Sequence, residues 1–187
     1  MEKFVCRILL PLSATFAVAQ TVNIDVAASK VTVQVLKSGF FSAFAHNHTI
    51  AAPLASGHID LDKKSVELKF HAADLKVMDS DVSDSDRAEI DRTMKSAVLD
   101  VTQFPEIGFV SKTVETTEGD RLLVRGDLTL HGVTKPIELR VTFTEGRYRG
   151  SVKLKQTDFG ITPIKIAGGT VRVKDEIEIG FEIVAAK

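Results

Sequence analysis

Residues Leu128–Leu139 read L-T-L-H-G-V-T-K-P-I-E-L, and this stretch indicates the fold class of the chain. Apolar and polar side chains alternate before and after the dipeptide His131-Gly132. Alternation of this kind is typical of a β-strand with one buried face and one face in water. Gly132 gives the backbone the freedom that a tight turn requires, and Pro136 restarts extended structure. The stretch therefore predicts two strands joined by a His-Gly turn.

The same alternation recurs along most of the chain. Each segment places apolar residues on one face and charged or hydroxyl side chains on the other. The alternating segments are Val31–Val35, Val66–Phe70, Leu122–Leu130, Ile137–Phe143 and Ile177–Ile183. Turn-forming pairs separate the segments, namely Asp62-Lys63, Glu118-Gly119, Glu145-Gly146 and Gly168-Gly169. Short strands with frequent turns predict one all-β domain, an antiparallel barrel or sandwich.

One segment departs from this alternation and has the pattern of a helix. Its apolar face comprises Ile90, Met94, Ala97 and Val98. Charged residues occupy the opposite face, as in an amphipathic helix. Asp86, with Glu89 three residues later, matches a capping box. We therefore expect one helix over Asp86–Leu99 that covers an open side or end of the barrel.

The first 19 residues have the features of a cleaved secretory signal peptide. Lys3 and Arg7 supply positive charge, an apolar stretch follows, and Ala17-Val18-Ala19 fits a cleavage site. The apolar stretch is too short to span a bilayer, which needs about 20 residues. The sequence thus predicts a signal peptide over 1–19 and a single exported domain over 20–187 without a transmembrane segment.

The number of cysteines and the net charge limit the classes of function that the sequence supports. The only cysteine, Cys6, lies inside the predicted signal peptide, so we expect no disulfide in the mature chain. The whole sequence has a formal net charge of −1. This balance argues against a nucleic-acid partner, which selects for a surplus of Lys and Arg.

Four motifs in a fixed order give the chain a resemblance to a known family. F-P-E-I begins at Phe104, L-T-L-H-G-V-T-K-P-I at Leu128, Q-T-D-F-G-I at Gln156 and V-K-D-E-I-E-I-G-F-E-I at Val173. In this order they resemble the YceI-like family of bacterial polyisoprenoid-binding proteins, from Asn23 to the C-terminus. The resemblance implies a periplasmic, lipocalin-like barrel that holds a long apolar lipid and needs no cofactor. It also implies a homodimer.

We therefore expect an antiparallel, lipocalin-like β-barrel of about eight strands with one covering helix. Inward side chains of such a barrel either fill it or line a cavity for one ligand. With a cavity, an isoprenoid lipid would be held by apolar burial, worth about 0.8 kcal/mol per methylene. The predicted lining residues are Phe40, Phe44, Phe70, Met94, Phe109, Phe143 and Phe181. The predicted polar residues at the mouth are His46 and His48.

Two alternative functions stay open on the sequence. On a strand, His46 and His48 would project from one face roughly 6.6 Å apart, a spacing that suits two ligands of one Zn²⁺. With a third ligand, for which His131 is the best candidate, they would make a metal-binding protein or metalloenzyme. A barrel filled with side chains would instead indicate a ligand-free envelope-stress or interaction protein.

No catalytic residue is predicted, and we do not expect an enzyme. The string D-F-G at Asp158 lacks the other kinase motifs, and no serine stands in a G-x-S-x-G context. Four aspartates lack the central glycine and the terminal glutamate of a calcium loop, so we expect a solvated loop before the helix. These aspartates are Asp79, Asp81, Asp84 and Asp86.

Overall fold

A computed structural model describes residues 20–38, 47–166 and 171–186. These residues form twelve antiparallel strands and one α-helix. The strands are β1 Thr21–Asn23, β2 Lys30–Ser38, β3 His48–Ala51, β4 Ser56–Asp60, β5 Ser65–His71, β6 Lys76–Val77, β7 Glu106–Thr116, β8 Arg121–Leu130, β9 Val133–Thr144, β10 Arg147–Lys155, β11 Lys165–Ile166 and β12 Val171–Val184. Eight of these strands have five or more residues, which is the number expected from the sequence, and the other four have two to four.

The strands form a single sheet that curls into a barrel. Their order is β1-β4-β5-β7-β8-β9-β10-β12-β2-β3-β6, with β11 beside β12. The barrel closes where the residues around Ile24 meet the end of β12. Ile24 forms an antiparallel bridge with Ala185, and the N–H of Asp25 donates to the carbonyl of Val184 at 2.8 Å. The prediction of an antiparallel, lipocalin-like barrel is confirmed.

The predicted turns join adjacent strands. His131 and Gly132 link β8 to β9 with φ of 51° and 72°, and Glu145 and Gly146 link β9 to β10 with φ of 53° and 75°. Positive φ at both central positions belongs to the hairpin turn whose twist matches that of the flanking strands. Gly168-Gly169, another predicted turn, lies outside the described residues.

The helix α1 spans Asp84–Thr93 and so begins two residues before the predicted start. Ser83, and not Asp86, is the N-cap. The Ser83 hydroxyl oxygen accepts from the N–H of Asp86 at 3.1 Å, and the hydroxyl donates to Asp86 Oδ2 at 2.7 Å. The predicted cap was wrong because a hydroxyl three residues earlier can both accept and donate.

A π-helical turn, Met94–Val98, continues the helix. Here the N–H of Leu99 donates to the carbonyl of Met94 at 2.9 Å, so each turn takes more residues than an α-helical turn. Met94 and Leu99 are buried, while Ala97 is exposed. The helical periodicity had placed Ala97 on the apolar face, and the π turn is the reason that this was wrong.

The sequence predicted a domain without a transmembrane segment. Within the described ranges, the helical segments are too short and too polar for any of them to cross a bilayer. The predicted signal peptide, residues 1–19, lies outside the described residues and stays a prediction.

Candidate functional site

The barrel contains a cavity of about 760 Å³. All eight of the longer strands contribute to its wall, because alternate side chains of each strand point inward. Most of the lining side chains are Val, Ile, Leu and Phe. Ligand sites in proteins are commonly mostly apolar concavities of about 300–1,000 Å³. The barrel interior therefore has the size and the surface of a site for one apolar ligand.

The helix and its π turn cover one end of this cavity. Ile90, Met94 and Leu99 border the cavity from this side. The N–H of Val77 in β6 donates to Asp91 Oδ1 at 3.2 Å and ties the helix to the sheet. The expected covering position of the helix is thus observed.

Several of the predicted lining residues border the cavity, namely Phe70, Met94, Phe109 and Phe181. Phe70, Met94 and Phe109 are buried. Phe40, Phe44 and the mouth candidate His46 lie outside the described residues. For all of these residues, contact with a ligand stays a prediction.

Phe143 is placed differently from its prediction. It lies on the inward side of β9, but near the end of the strand and outside the cavity lining, with 38% of its surface exposed. Its ring contacts that of Tyr148 across β9 and β10, with centroids 4.5 Å apart. The alternation along a strand shows which face of the sheet a side chain occupies. It does not show how far the cavity extends along that strand. Tyr148, which the sequence reasoning missed, borders the cavity instead, and burial raises the pKa of its phenol.

Two cavity phenylalanines pack against glycines of neighbouring strands. A Cβ on Gly126 would lie 2.7 Å from Cζ of Phe109, and a Cβ on Gly150 would lie 2.7 Å from Cζ of Phe181. Real Cβ atoms do not approach so closely. Glycine at these positions lets each ring lie against the strand backbone, so the rings form part of the wall.

His48 is the predicted mouth residue that the structure describes, and it borders the cavity at the start of β3. Its Nδ1 lies 2.6 Å from Oδ2 of Asp79. The other carboxylate oxygen, Oδ1, accepts from the N–H of Thr49 at 2.8 Å. The Asp79 side chain is 2% exposed, so this carboxylate has exchanged its water for two protein donors. The imidazole of His48 is thereby held in one orientation.

Asp79 was expected in a solvated loop, and this expectation was wrong. The residue is buried at 5% exposure, and its carbonyl accepts from Nη1 of Arg87 at 2.7 Å. In the sequence alone, a buried aspartate within an acidic stretch cannot be distinguished from an exposed one. Only the fold brings it to His48 and Thr49, and no signal in the sequence indicated that contact.

The charged groups of the lining lie at the two ends of the barrel. Asp86 and Glu89 border the cavity from the helix, at the end where His48 lies. Asp60 and Lys64 border it at the turn between β4 and β5, the opposite end. Hydrogen bonds from the backbone and side chain of Lys63 lower the pKa of the Asp60 carboxyl. The middle of the cavity is left to apolar side chains.

His131, the suggested third metal ligand, has other contacts. Its ring packs on Phe104 with centroids 4.2 Å apart, and its Nδ1 lies 3.3 Å from the carbonyl oxygen of Phe159. Among the described residues, no three His, Cys, Asp or Glu side chains converge as a metal site would require. The metal alternative also needs His46, which lies outside those residues, and it stays a prediction.

Fold and cavity together define a lipocalin-like barrel with an apolar interior. The chain belongs to the YceI-like domain family, whose model matches residues 22–185. One relative, a UPF0312 protein of Pseudomonas savastanoi pv. phaseolicola, is 40% identical over 114 residues, which cover 55% of this chain and 57% of the relative. The match with this relative therefore spans little more than half of the relative's length.

Solved structures share the same architecture. BcnA of Burkholderia cenocepacia is 21% identical with a TM-score of 0.62, and the match covers 87% of this chain and 99% of BcnA. A polyisoprenoid binding domain from Saccharophagus degradans, implicated in plant cell wall breakdown, is 13% identical with a TM-score of 0.61. The match covers 89% of this chain and 98% of that domain. At these identities the likeness shows a common fold.

Proposed function

We propose that this protein binds one long apolar isoprenoid, or a similar long-chain lipid, inside its barrel and carries it through the periplasm. The observation that carries the proposal is the cavity of about 760 Å³ with its aliphatic and phenyl lining. Apolar ligand surface that leaves water for such a wall contributes about 25 cal/mol per Å². Binding therefore needs no catalytic group and no cofactor.

The cavity volume sets the scale of the ligand. If each non-hydrogen atom takes about 30 Å³, the share of one water in the liquid, then 760 Å³ holds on the order of 25 atoms. That number corresponds to about five isoprene units. Burial of so many carbons would contribute about 20 kcal/mol, near the observed ceiling of about 18–21 kcal/mol. Because ordering a flexible chain consumes part of this energy, we expect tight retention below the ceiling.

Further support comes from the family and from the N-terminal sequence. The solved domain from S. degradans is described as polyisoprenoid binding, and it shares this fold. Residues 1–19 have the pattern of a secretory signal peptide, which would direct the barrel to the periplasm. The filled-barrel alternative has less support, because the inward side chains leave a cavity of ligand size.

The direct test is native purification of the protein from the periplasm of a Gram-negative host, followed by solvent extraction and mass spectrometry. We expect about one equivalent of a polyprenyl or prenyl-quinone species, or of a related long-chain lipid. A well-folded protein whose extract contains no lipid, and which takes up none when lipid is added, would overturn the proposal.

A pair of variants makes this test specific for the cavity. Leu139→Trp places an indole in the cavity from the middle of β9 and should abolish lipid retention. Val110→Trp introduces the same side chain at a position of β7 that is 49% exposed, and should retain the lipid. Loss of lipid in both variants would contradict a cavity site.

A further inference from the structure

We infer that the cavity selects a lipid whose head is uncharged and donates a hydrogen bond, such as the alcohol of a polyprenol or the phenol of a prenyl hydroquinone. This inference rests on the proposed function and adds the chemistry of the head group. It is carried by the geometry of His48 and Asp79 at the helix-covered end of the cavity.

The partner of Nδ1 determines which ring nitrogen of His48 holds the proton. A carboxylate can only accept hydrogen bonds, so at 2.6 Å the donor must be the Nδ1–H of His48. In a neutral imidazole the other nitrogen, Nε2, then carries a lone pair and acts as an acceptor. When the imidazole is neutral, Asp79 thus fixes His48 in the tautomer whose Nε2 offers an acceptor to a ligand.

This acceptor borders an apolar space. No described residue forms a hydrogen bond with Nε2 of His48, and the side chain is 21% exposed. The neighbouring lining residues Ile50 and Val77 are buried and have no side-chain donor. A polar atom in such surroundings is stabilised when a ligand supplies the missing donor. A hydroxyl at the end of a prenyl chain is a donor of suitable size.

The charges at this end disfavour a phosphate or diphosphate head. Asp86 and Glu89 border the cavity here, and carboxylates repel an anion. Arg87, a cation near Asp79, donates to the carbonyl of Asp79 and pairs with Asp84. Of the described residues that line the cavity, Lys64 is the one Lys or Arg, and it lies at the opposite end. The segments 39–46 and 167–170, outside the described residues, contain neither Lys nor Arg.

A series of matched ligands tests the inference. The purified protein, stripped of endogenous lipid, is incubated at pH 8 with a mixture of one prenyl chain carrying four heads: alcohol, methyl ether, aldehyde and phosphate. Native mass spectrometry gives the relative occupancies. We expect the alcohol to exceed the ether and the aldehyde by about fivefold, the equivalent of one net hydrogen bond, and the phosphate to bind least. A prenyl hydroquinone competed against its quinone shows whether a phenol serves as well as an alcohol.

The variant Asp79→Asn separates this role from a structural one. The N–H of Thr49 would hold the amide oxygen in the place of Oδ1, so the amide NH₂ would face His48 and donate to Nδ1. The proton of His48 would then move to Nε2, as happens when an amide replaces the aspartate beside a catalytic histidine. We expect the advantage of the alcohol over the aldehyde to disappear while both still bind. Glu67→Gln, beside His58 at 3.7 Å on the outer face, makes the same change away from the cavity and should preserve the preference.

Each outcome has a distinct meaning. Equal binding of the four prenyl compounds, or a preference for the phosphate or the aldehyde, would overturn the inference and leave the proposed lipid carrier intact. An unchanged preference in a folded Asp79→Asn variant would also overturn it. If no prenyl compound binds, the proposed function itself fails.

Discussion

The ring of Phe181 packs over Gly150 on the neighbouring strand, and no β-carbon fits between them. The two residues are direct partners in the pairing of β10 with β12. A Cβ at position 150 would lie 2.7 Å from Cζ of Phe181 and 2.5 Å from the carbonyl oxygen of Arg140. Because one of these neighbours is backbone, the contact cannot be relieved by a side-chain rotation alone. The wall of the cavity therefore depends on a glycine.

The substitution Gly150→Ala tests this packing. We expect it to lower the free energy of unfolding by about 1–3 kcal/mol, the usual cost of overpacking, and to weaken lipid retention as Phe181 moves inward. Gly180→Ala is the matched control, since its Cβ would meet Thr32 Oγ1 at an ordinary 3.6 Å. Urea unfolding of both variants gives the comparison, and equal stabilities would contradict the packing argument.

The cap of the helix is a second point to test. Ser83→Ala removes the hydroxyl that accepts from the N–H of Asp86, and should destabilise the helix by about 1 kcal/mol. Because the helix covers the cavity, we also expect faster exchange of bound lipid, measured by transfer to acceptor vesicles. Ser85→Ala, in the first turn of the helix, should change both quantities less. An unchanged rate in the Ser83 variant would show that the lipid leaves by another route.

The cavity volume predicts how affinity depends on chain length. Prenols should bind more tightly with each added unit up to about five isoprene units, and the gain per unit should then fall sharply, because further carbons find no wall. Competition between prenols of increasing length, read by native mass spectrometry, gives this curve. A steep rise that continues well past the predicted length would mean that the ligand extends out of the barrel.

Acid should weaken a group of ion pairs on the outer face. Arg149, which bonds to Glu182 at 2.6 Å, and next to it Arg147, lower the pKa of the Glu182 carboxyl. A carboxyl with a lowered pKa in the folded state contributes stability above its ordinary pKa, and this contribution is lost as the pH falls through the lowered value. The melting temperature should therefore decline more steeply below pH 5 in the native protein than in Glu182→Gln. Glu178→Gln, on the outer face of the same strand, is the control. Parallel declines in all three proteins would exclude a specific role of Glu182.

The fold class was predictable because the alternation of apolar and polar residues that indicates it lies within short segments of the sequence. The alternating segments lie in β2, β5, β8, β9 and β12, and the turns Glu118-Gly119 and His131-Gly132 separate strands as expected. Side chains alternate between the two faces of a strand, so the odd or even position of a residue shows whether it faces inward, as for Phe109 and Phe181. The limits of the cavity do not follow from this alternation, and for this reason Phe143 was predicted in the lining while Tyr148 was missed.

The polar part of the site was beyond sequence reasoning for a different reason. His48 and Asp79 are 31 positions apart, and nothing between them indicates the contact. Asp79 stands among other aspartates that do face water, such as Asp81 and Asp84. Whether a carboxylate is buried depends on the donors that the fold supplies, here the N–H of Thr49 and the ring of His48. Such donors are known only once β3 has been placed beside the loop.

The pairing of β12 has a consequence for how the barrel comes into being. This strand joins β10 to β2, and the residues at its end meet the start of the fold, where the N–H of Val184 donates to the Ser29 hydroxyl 155 positions earlier. A nascent chain is made from the N-terminus, so β2 must wait unpaired on this side until nearly the whole domain has been synthesised. Until β12 is present, the cavity lacks the part of its wall that this strand supplies. We therefore expect the protein to take up a lipid only after β12 has joined the sheet.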